Sequence, residues 1–237
     1  FKITASNACG RVDISSSNSS VAKVNVYTST GDVEALAMGE GNKNGIEVSF
    51  TEKEYEVLTY QGKFAFYDEQ EMKDPMIVDA GLQHSGDIMT NKWTQLAIAE
   101  MEKATLSEEA SAWSFDVVVD AIAKMNLEDE TGLFVLINPA QKAEIRKDAD
   151  FKASRMGEII HNGQVGDIAG IPVAVSKKVP ANTVFVATKE AVTCFVKKEV
   201  EVEQDRIKNK RINSIIPRKV GLVALTDATK AVKITKA

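Results

Sequence analysis

The sequence has little of the side-chain chemistry on which most enzymes depend. It carries two histidines and two cysteines in 237 residues. A nucleophile–base pair needs its base oriented by a third group. His84 has no flanking Glu-x-x-His pattern, neither histidine lies in a recognisable nucleophile motif, and no Gly-x-Ser-x-Gly elbow occurs. His161 adjoins Asn162-Gly163, a turn signal that reads as a solvated loop. Cys9 and Cys194 lie far apart in the chain and show no metal-ligand spacing. They therefore suggest neither a disulfide framework nor a four-ligand metal site, and a reducing compartment is the default. No cofactor and no metal is expected.

Long apolar runs are lacking as well. None approaches the roughly 18 residues that mark a membrane span, and no signal peptide is visible. Basic surplus is absent too, because the formal net charge is −5. A dedicated nucleic-acid binder draws most of its affinity from cationic contacts to phosphate, so tight DNA or RNA binding is disfavoured. Enclosing nucleic acid is not. What is present is an ordinary globular composition, 44% hydrophobic and 27% charged, long enough for one large domain or two small ones.

The chain begins with a polar stretch containing Ser15-Ser16-Ser17-Asn18-Ser19-Ser20, which buries too little to fold alone and reads as an arm. From Val21 the pattern turns to β-formers, with Val24, Val26, Thr28 and Val33 marking a strand. Gly39-Glu40-Gly41-Asn42-Lys43-Asn44-Gly45 follows, and Asn44-Gly45 is a strong turn signal. Ile46, Val48 and Phe50 then alternate with polar residues, so the chain returns as a second strand that continues past Tyr55 and Val57. A two-stranded hairpin is marginal in water. This one should pack on something else, such as another subunit.

Asp74-Pro75 opens a helix, and Val78, Leu82, Met89, Trp93 and Leu96 form one stripe along it to about Lys103. About 29 residues at ~1.5 Å each make a rod of roughly 43 Å, with Gly81 and Gly86 weakening its start and inviting a kink or a late start near Ile88. The second half reads as α/β. Ser114 caps a helix with apolar Phe115, Val118, Val119 and Ile122, and Leu133–Ile137 is an apolar run short enough for a buried strand. Asn138-Pro139 starts a helix through about Lys147. Strands follow at Ile171–Val175, Val184–Ala187 and Thr193–Val202, and extended segments around Ile212–Leu225 and Val232–Thr235 close the chain.

Three constellations invite chemical readings. The cluster Gly39-x-Gly41-x-x-x-Gly45 could cradle phosphate, but such loops feed a helix N-terminus, and here a β-pattern follows. A hairpin tip suits it better. The acidic pairs Glu108-Glu109 and Asp148/Asp150 could act as acid and base, yet they read as solvated helix termini. The basic stretch from Lys208 to Lys219 could touch DNA, but Glu199, Glu201, Glu203 and Asp205 stand beside it, so an inter-subunit charge network is at least as good a reading.

The order of parts (arm, glycine-tipped hairpin, long helix, α/β region, returning strands) resembles the major capsid proteins of tailed bacteriophages. Several stretches look like that family's pattern. They include Ala37–Gly41, Phe134-Val135-Leu136-Ile137-Asn138-Pro139, Asp167–Ser176, Ala191–Lys198 running into Val200–Arg206, and Val220–Ile234. The resemblance covers the chain from about Val21 and implies an α+β, Hong Kong 97-type capsid fold. Its parts would be an N-terminal arm (1–23), an extended E-loop hairpin (24–62), a peripheral P domain with the long spine helix (63–110) and an α/β axial A domain (111–198). The P and A domains would share parts of 199–237.

The function so implied is that of a major capsid protein. Copies of one chain would form the hexamers and pentamers of an icosahedral shell enclosing double-stranded DNA without reading its sequence. No catalysis is implied. The E-loop tip, Met38, Gly39, Glu40, Gly41, Lys43, Asn44 and Gly45, would contact a neighbouring subunit. Portal, scaffold and decoration proteins would be partners, no membrane would be involved, and assembly in the bacterial host cytoplasm would lead to a location in the virion. The chain opens at Phe1 rather than methionine, which the resemblance links to proteolytic removal of a scaffolding segment, the alternative being truncation. Competing readings are an encapsulin-type compartment shell, an α/β enzyme with a hairpin lid, and a surface adhesin or tail component.

Overall fold

The computed structural model describes residues 8–31, 35–36, 38–41, 43, 45–127, 130–147, 167–168 and 170–236. The chain opens with β1 (Gly10–Asp13) and the hairpin strands β2 (Val21–Thr30) and β3 (Glu47–Glu56). β4 (Leu58–Gln61) and β5 (Phe64–Tyr67) lead into a short helix α1 (Asp68–Lys73) and the long helix α2 (Met76–Met101). β6 (Leu106–Ala110), α3 (Phe115–Met125), β7 (Leu133–Ile137) and α4 (Pro139–Ile145) come next. The remainder is extended: β8 (Asp167–Ile168), β9 (Ile171–Val175), β10 (Thr183–Thr188), β11 (Val192–Ile207), β12 (Ile212–Leu225) and β13 (Ala231–Lys236).

The apolar run 133–137 becomes β7, a strand buried on both faces inside a six-stranded sheet ordered β6-β13-β10-β7-β9-β8. Because strand side chains alternate, β7 feeds two cores. Phe134 and Leu136 point to one side, where Phe185 and Ala187 of β10 join Met89, Trp93, Ala97 and Met101 of α2. Leu133, Val135 and Ile137 point to the other, where Val184 and Val186 meet Val118, Ala121, Ile122 and Met125 of α3. A single uninterrupted hydrophobic stretch thus reflects two buried faces. Asn138 then caps α4, its side chain accepting from the Ala140 N–H at 3.0 Å, with Gln141 completing a capping box.

A second sheet runs β1-β11-β12-β4, and β5 also pairs with β12. β11 and β12 form a long antiparallel ribbon whose register shifts between Val196 and Lys198 and again before Glu201. The third sheet is the β2–β3 hairpin. α2 lies across β12, with 26 residues spanning about 39 Å. Asp74 accepts from the Met76 N–H at 3.0 Å, holding the start of this helix.

Several expectations are corrected. The 1–23 stretch is not all arm, since β1 pairs in parallel with β11 over Gly10–Asp13 and β2 already begins at Val21. No break at Gly81 or Gly86 interrupts α2. Its buried residues lie in the C-terminal half, from Met89 on, and Leu82 stays 38% exposed. On α3 the buried set is Val118, Ala121, Ile122 and Met125, whereas Val119 faces outward. Glu108 and Glu109 lie in strand β6 rather than at a helix terminus.

Candidate inter-subunit surface

Hydrogen bonds tie the hairpin down at its base. Val57 N–H donates to Ser20 O at 2.8 Å, Lys197 Nζ donates to Ser19 O at 2.7 Å, and the Tyr55 hydroxyl reaches Leu225 O at 3.4 Å. Val24 is buried there. Ten residue pairs, from Val21–Glu56 to Thr30–Glu47, then carry the ladder outward. Near the base, Lys23 sits between the Glu52 and Glu54 carboxylates. Beyond them the same face of the return strand becomes apolar, with Ile46, Val48 and Phe50 each more than 60% exposed.

At the far end, Gly31 has φ +120°, and an added Cβ would meet the Gly45 carbonyl at 2.8 Å. The two limbs therefore approach more closely than side chains permit. Gly39 has φ +91°, a left-handed turn conformation that glycine adopts without strain. Met38, Gly39, Glu40, Gly41, Lys43 and Gly45 are all exposed, and Asn44 lies outside the described residues. The glycine cluster thus sits at a strand-to-strand connection rather than before a helix. The apolar stripe behind the tip was visible in the sequence only as strand alternation.

The β11–β12 ribbon carries further exposed apolar residues on β11. Val200 and Val202 are more than half exposed. Arg218 donates to Glu201 at 2.6 Å and to Glu203 at 2.9 Å across the ribbon. Its guanidinium, followed by Lys198, holds the Glu201 carboxyl below the usual range. Arg206 pairs with Asp68 at 2.7 Å and Arg211 with Glu69 at 3.3 Å, closing the ribbon end onto α1. The sequence suggested an inter-subunit charge network, whereas the pairs described here lie within one chain.

Other chemical candidates disperse. His84 lies exposed on α2, while His161, Asp148 and Asp150 fall outside the described residues. The Glu108 carboxylate pairs with Lys124 of α3. Among the described residues, no group of three or more His, Cys, Asp or Glu is placed to hold a metal ion, and no helix is long and apolar enough to cross a membrane. The two cysteines, distant in sequence, come together: β1 lies beside β11 so that the Cys9 and Cys194 thiols share a hydrogen bond.

Known proteins match this architecture. Solved capsids superpose on nearly the whole chain at low sequence identity. The capsid structure of the Cyanophage P-SCSP1u gives a TM-score of 0.75 at 12% identity, covering 97% of this chain and 86% of the other. The acidic stable capsid structure of Helicobacter pylori bacteriophage KHP30 gives 0.75 at 8%, covering 98% and 88%. The fold is thus the α+β Hong Kong 97-type capsid fold. In sequence, the major capsid protein of Staphylococcus phage phiMR11 is 29% identical over 160 residues, 66% of this chain. That match spans 57% of the relative's own length. The family model for phage capsid protein matches residues 51–234, from the return limb of the hairpin through the last strand, and the chain belongs to the phage capsid protein family.

Proposed function

We propose that this chain is the major capsid protein of a tailed, double-stranded DNA bacteriophage, and that its copies assemble into the hexamers and pentamers of an icosahedral shell. The observation that carries the reading is the hairpin. A ribbon that projects ten ladder pairs from its base, with Ile46, Val48 and Phe50 facing water, leaves apolar area that a second subunit would cover. Many modest contacts repeated by symmetry then add up to a durable wall.

In this reading 24–62 is the E-loop and Met38–Gly45 is its contact tip, with 63–110 the P domain and 111–198 the A domain. The protein acts by assembly rather than catalysis. Scaffold, portal and decoration proteins are its partners, the host cytoplasm is where it assembles, and the virion is its final location. The net charge of −5 suits a container that encloses DNA without gripping it. Electron microscopy of purified particles tests the proposal. Closed icosahedral shells built from this chain are expected, and a monodisperse monomer under every assembly condition would overturn it. Tight binding of the isolated subunit to duplex DNA would overturn the passive-container part alone.

A further inference from the structure

Cys9 and Cys194 sit almost a chain length apart in sequence, yet the parallel pairing of β1 with β11 sets Gly10 opposite Thr193 and Arg11 opposite Cys194. The two thiols share a hydrogen bond, both are buried, and neither is in a disulfide. Burial alone would make them inert packing groups. Their surroundings argue otherwise. Both line a solvent-connected cavity of about 680 Å³, together with the cationic side chains Arg11, Lys189 and Lys219. Lys219 Nζ lies 4.4 Å from the Trp93 ring centroid, on the wall of that cavity. The hydrogen bond from Cys9, followed by the charges of Lys219 and Arg11, holds the Cys194 thiol below its usual range, against the opposing effect of burial. The same hydrogen bond and burial push the Cys9 thiol up. Of the two, Cys194 is therefore the thiol that ionises more readily.

We propose that Cys9 and Cys194 are a redox couple that closes to an intrachain disulfide when a small aliphatic disulfide enters this cavity. The Cys194 thiolate attacks one sulfur of the oxidant, forming a mixed disulfide and expelling one thiolate. Cys9 then loses its proton and attacks the Cys194 sulfur. That step forms the Cys9–Cys194 bond and expels the second thiolate, and the two protons of the original thiols end on the two released small thiols. Closure requires the sulfurs to move from hydrogen-bond contact to about 2.05 Å. β1 is the element able to yield, being four residues long and at the edge of its sheet, with Cys9 just ahead of its first paired residue. A reducing cytoplasm would keep the pair open, and an oxidising exterior would close it, fastening β1 to β11.

The test uses the full chain and hydroxyethyl disulfide as the oxidant. The intact mass should fall by about 2 Da, a reversal with dithiothreitol should restore it, and peptide mapping should find Cys9 joined to Cys194. Cys9→Ala should instead stop at a stable adduct on Cys194, while Cys194→Ala should react far more slowly than the native chain. The native-chain result decides the matter without relying on either variant. Unchanged mass, a persistent adduct on Cys194 in the native chain, or a link between two chains would each overturn the proposal.

Discussion

Phe64 of β5 occupies the space that a side chain at Gly81 of α2 would need. A Cβ added there would lie 2.7 Å from Phe64 Cδ1 and closer still to Cε1 and Cζ. The ring cannot swing away freely, because it stacks on Phe66 at 5.6 Å. Gly81 therefore costs helix propensity so that α2 can settle on the sheet. Gly86, one and a half turns on, has nothing within 4 Å of the same hypothetical atom.

The two glycines should respond with opposite signs. Gly81→Ala should destabilise by about 2 kcal/mol, since overpacking of ~3 kcal/mol exceeds a propensity gain of ~1 kcal/mol. Gly86→Ala should stabilise by about 0.5–1 kcal/mol. Urea unfolding of the dissociated subunit measures both. Equal stabilisation by the two changes would show that Phe64 does not press on the helix.

Gln141 is 1% exposed and acts as a polar pin in the second core. Its Nε2 donates to Ala181 O and Thr183 O, each at 2.8 Å, and its Oε1 accepts from Asn138 N–H at 2.8 Å. Gln141→Leu keeps the volume and abandons these groups. A loss of about 1–3 kcal/mol is expected in the same unfolding assay, and a neutral outcome would mean that water takes over the bonds.

The ribbon should weaken in acid. Glu201 has its folded-state pKa depressed below the ordinary 4.5, first by its hydrogen bond from Arg218. A depressed carboxyl contributes stability that is present above the unfolded value and lost as pH falls through the folded one. The thermal midpoint of Arg218→Ala should therefore lie below that of the native chain at neutral pH. The gap should narrow once the pH drops below 4.5. A gap that holds constant down to acid would assign the effect of Arg218 to packing rather than to charge.

Much of this architecture was legible because burial leaves a period in the sequence. The run at 133–137, the helix starts at Asp74-Pro75 and Asn138-Pro139, and the hairpin around Asn44-Gly45 all carry local signals. Three features did not. β6 reads Leu106-Ser107-Glu108-Glu109-Ala110, too acidic to announce a strand, and is held by parallel pairing to β13. Polar β1 owes its order to β11, a contact with no local trace. The Cys9–Cys194 pair depends on that same long-range register, so spacing alone suggested two unrelated thiols. Glycines mark the tip in the sequence, whereas the larger apolar area lies behind it at Ile46, Val48 and Phe50.

In an assembled shell a neighbouring subunit should cover this apolar stripe. Hydroxyl-radical footprinting, read by mass spectrometry on dissociated subunits and on intact shells, measures it directly. Labelling of Phe50 and Met38 should fall strongly on assembly, while buried Phe185 stays unlabelled in both states. Equal labelling of Phe50 and Met38 in subunits and shells would contradict the account.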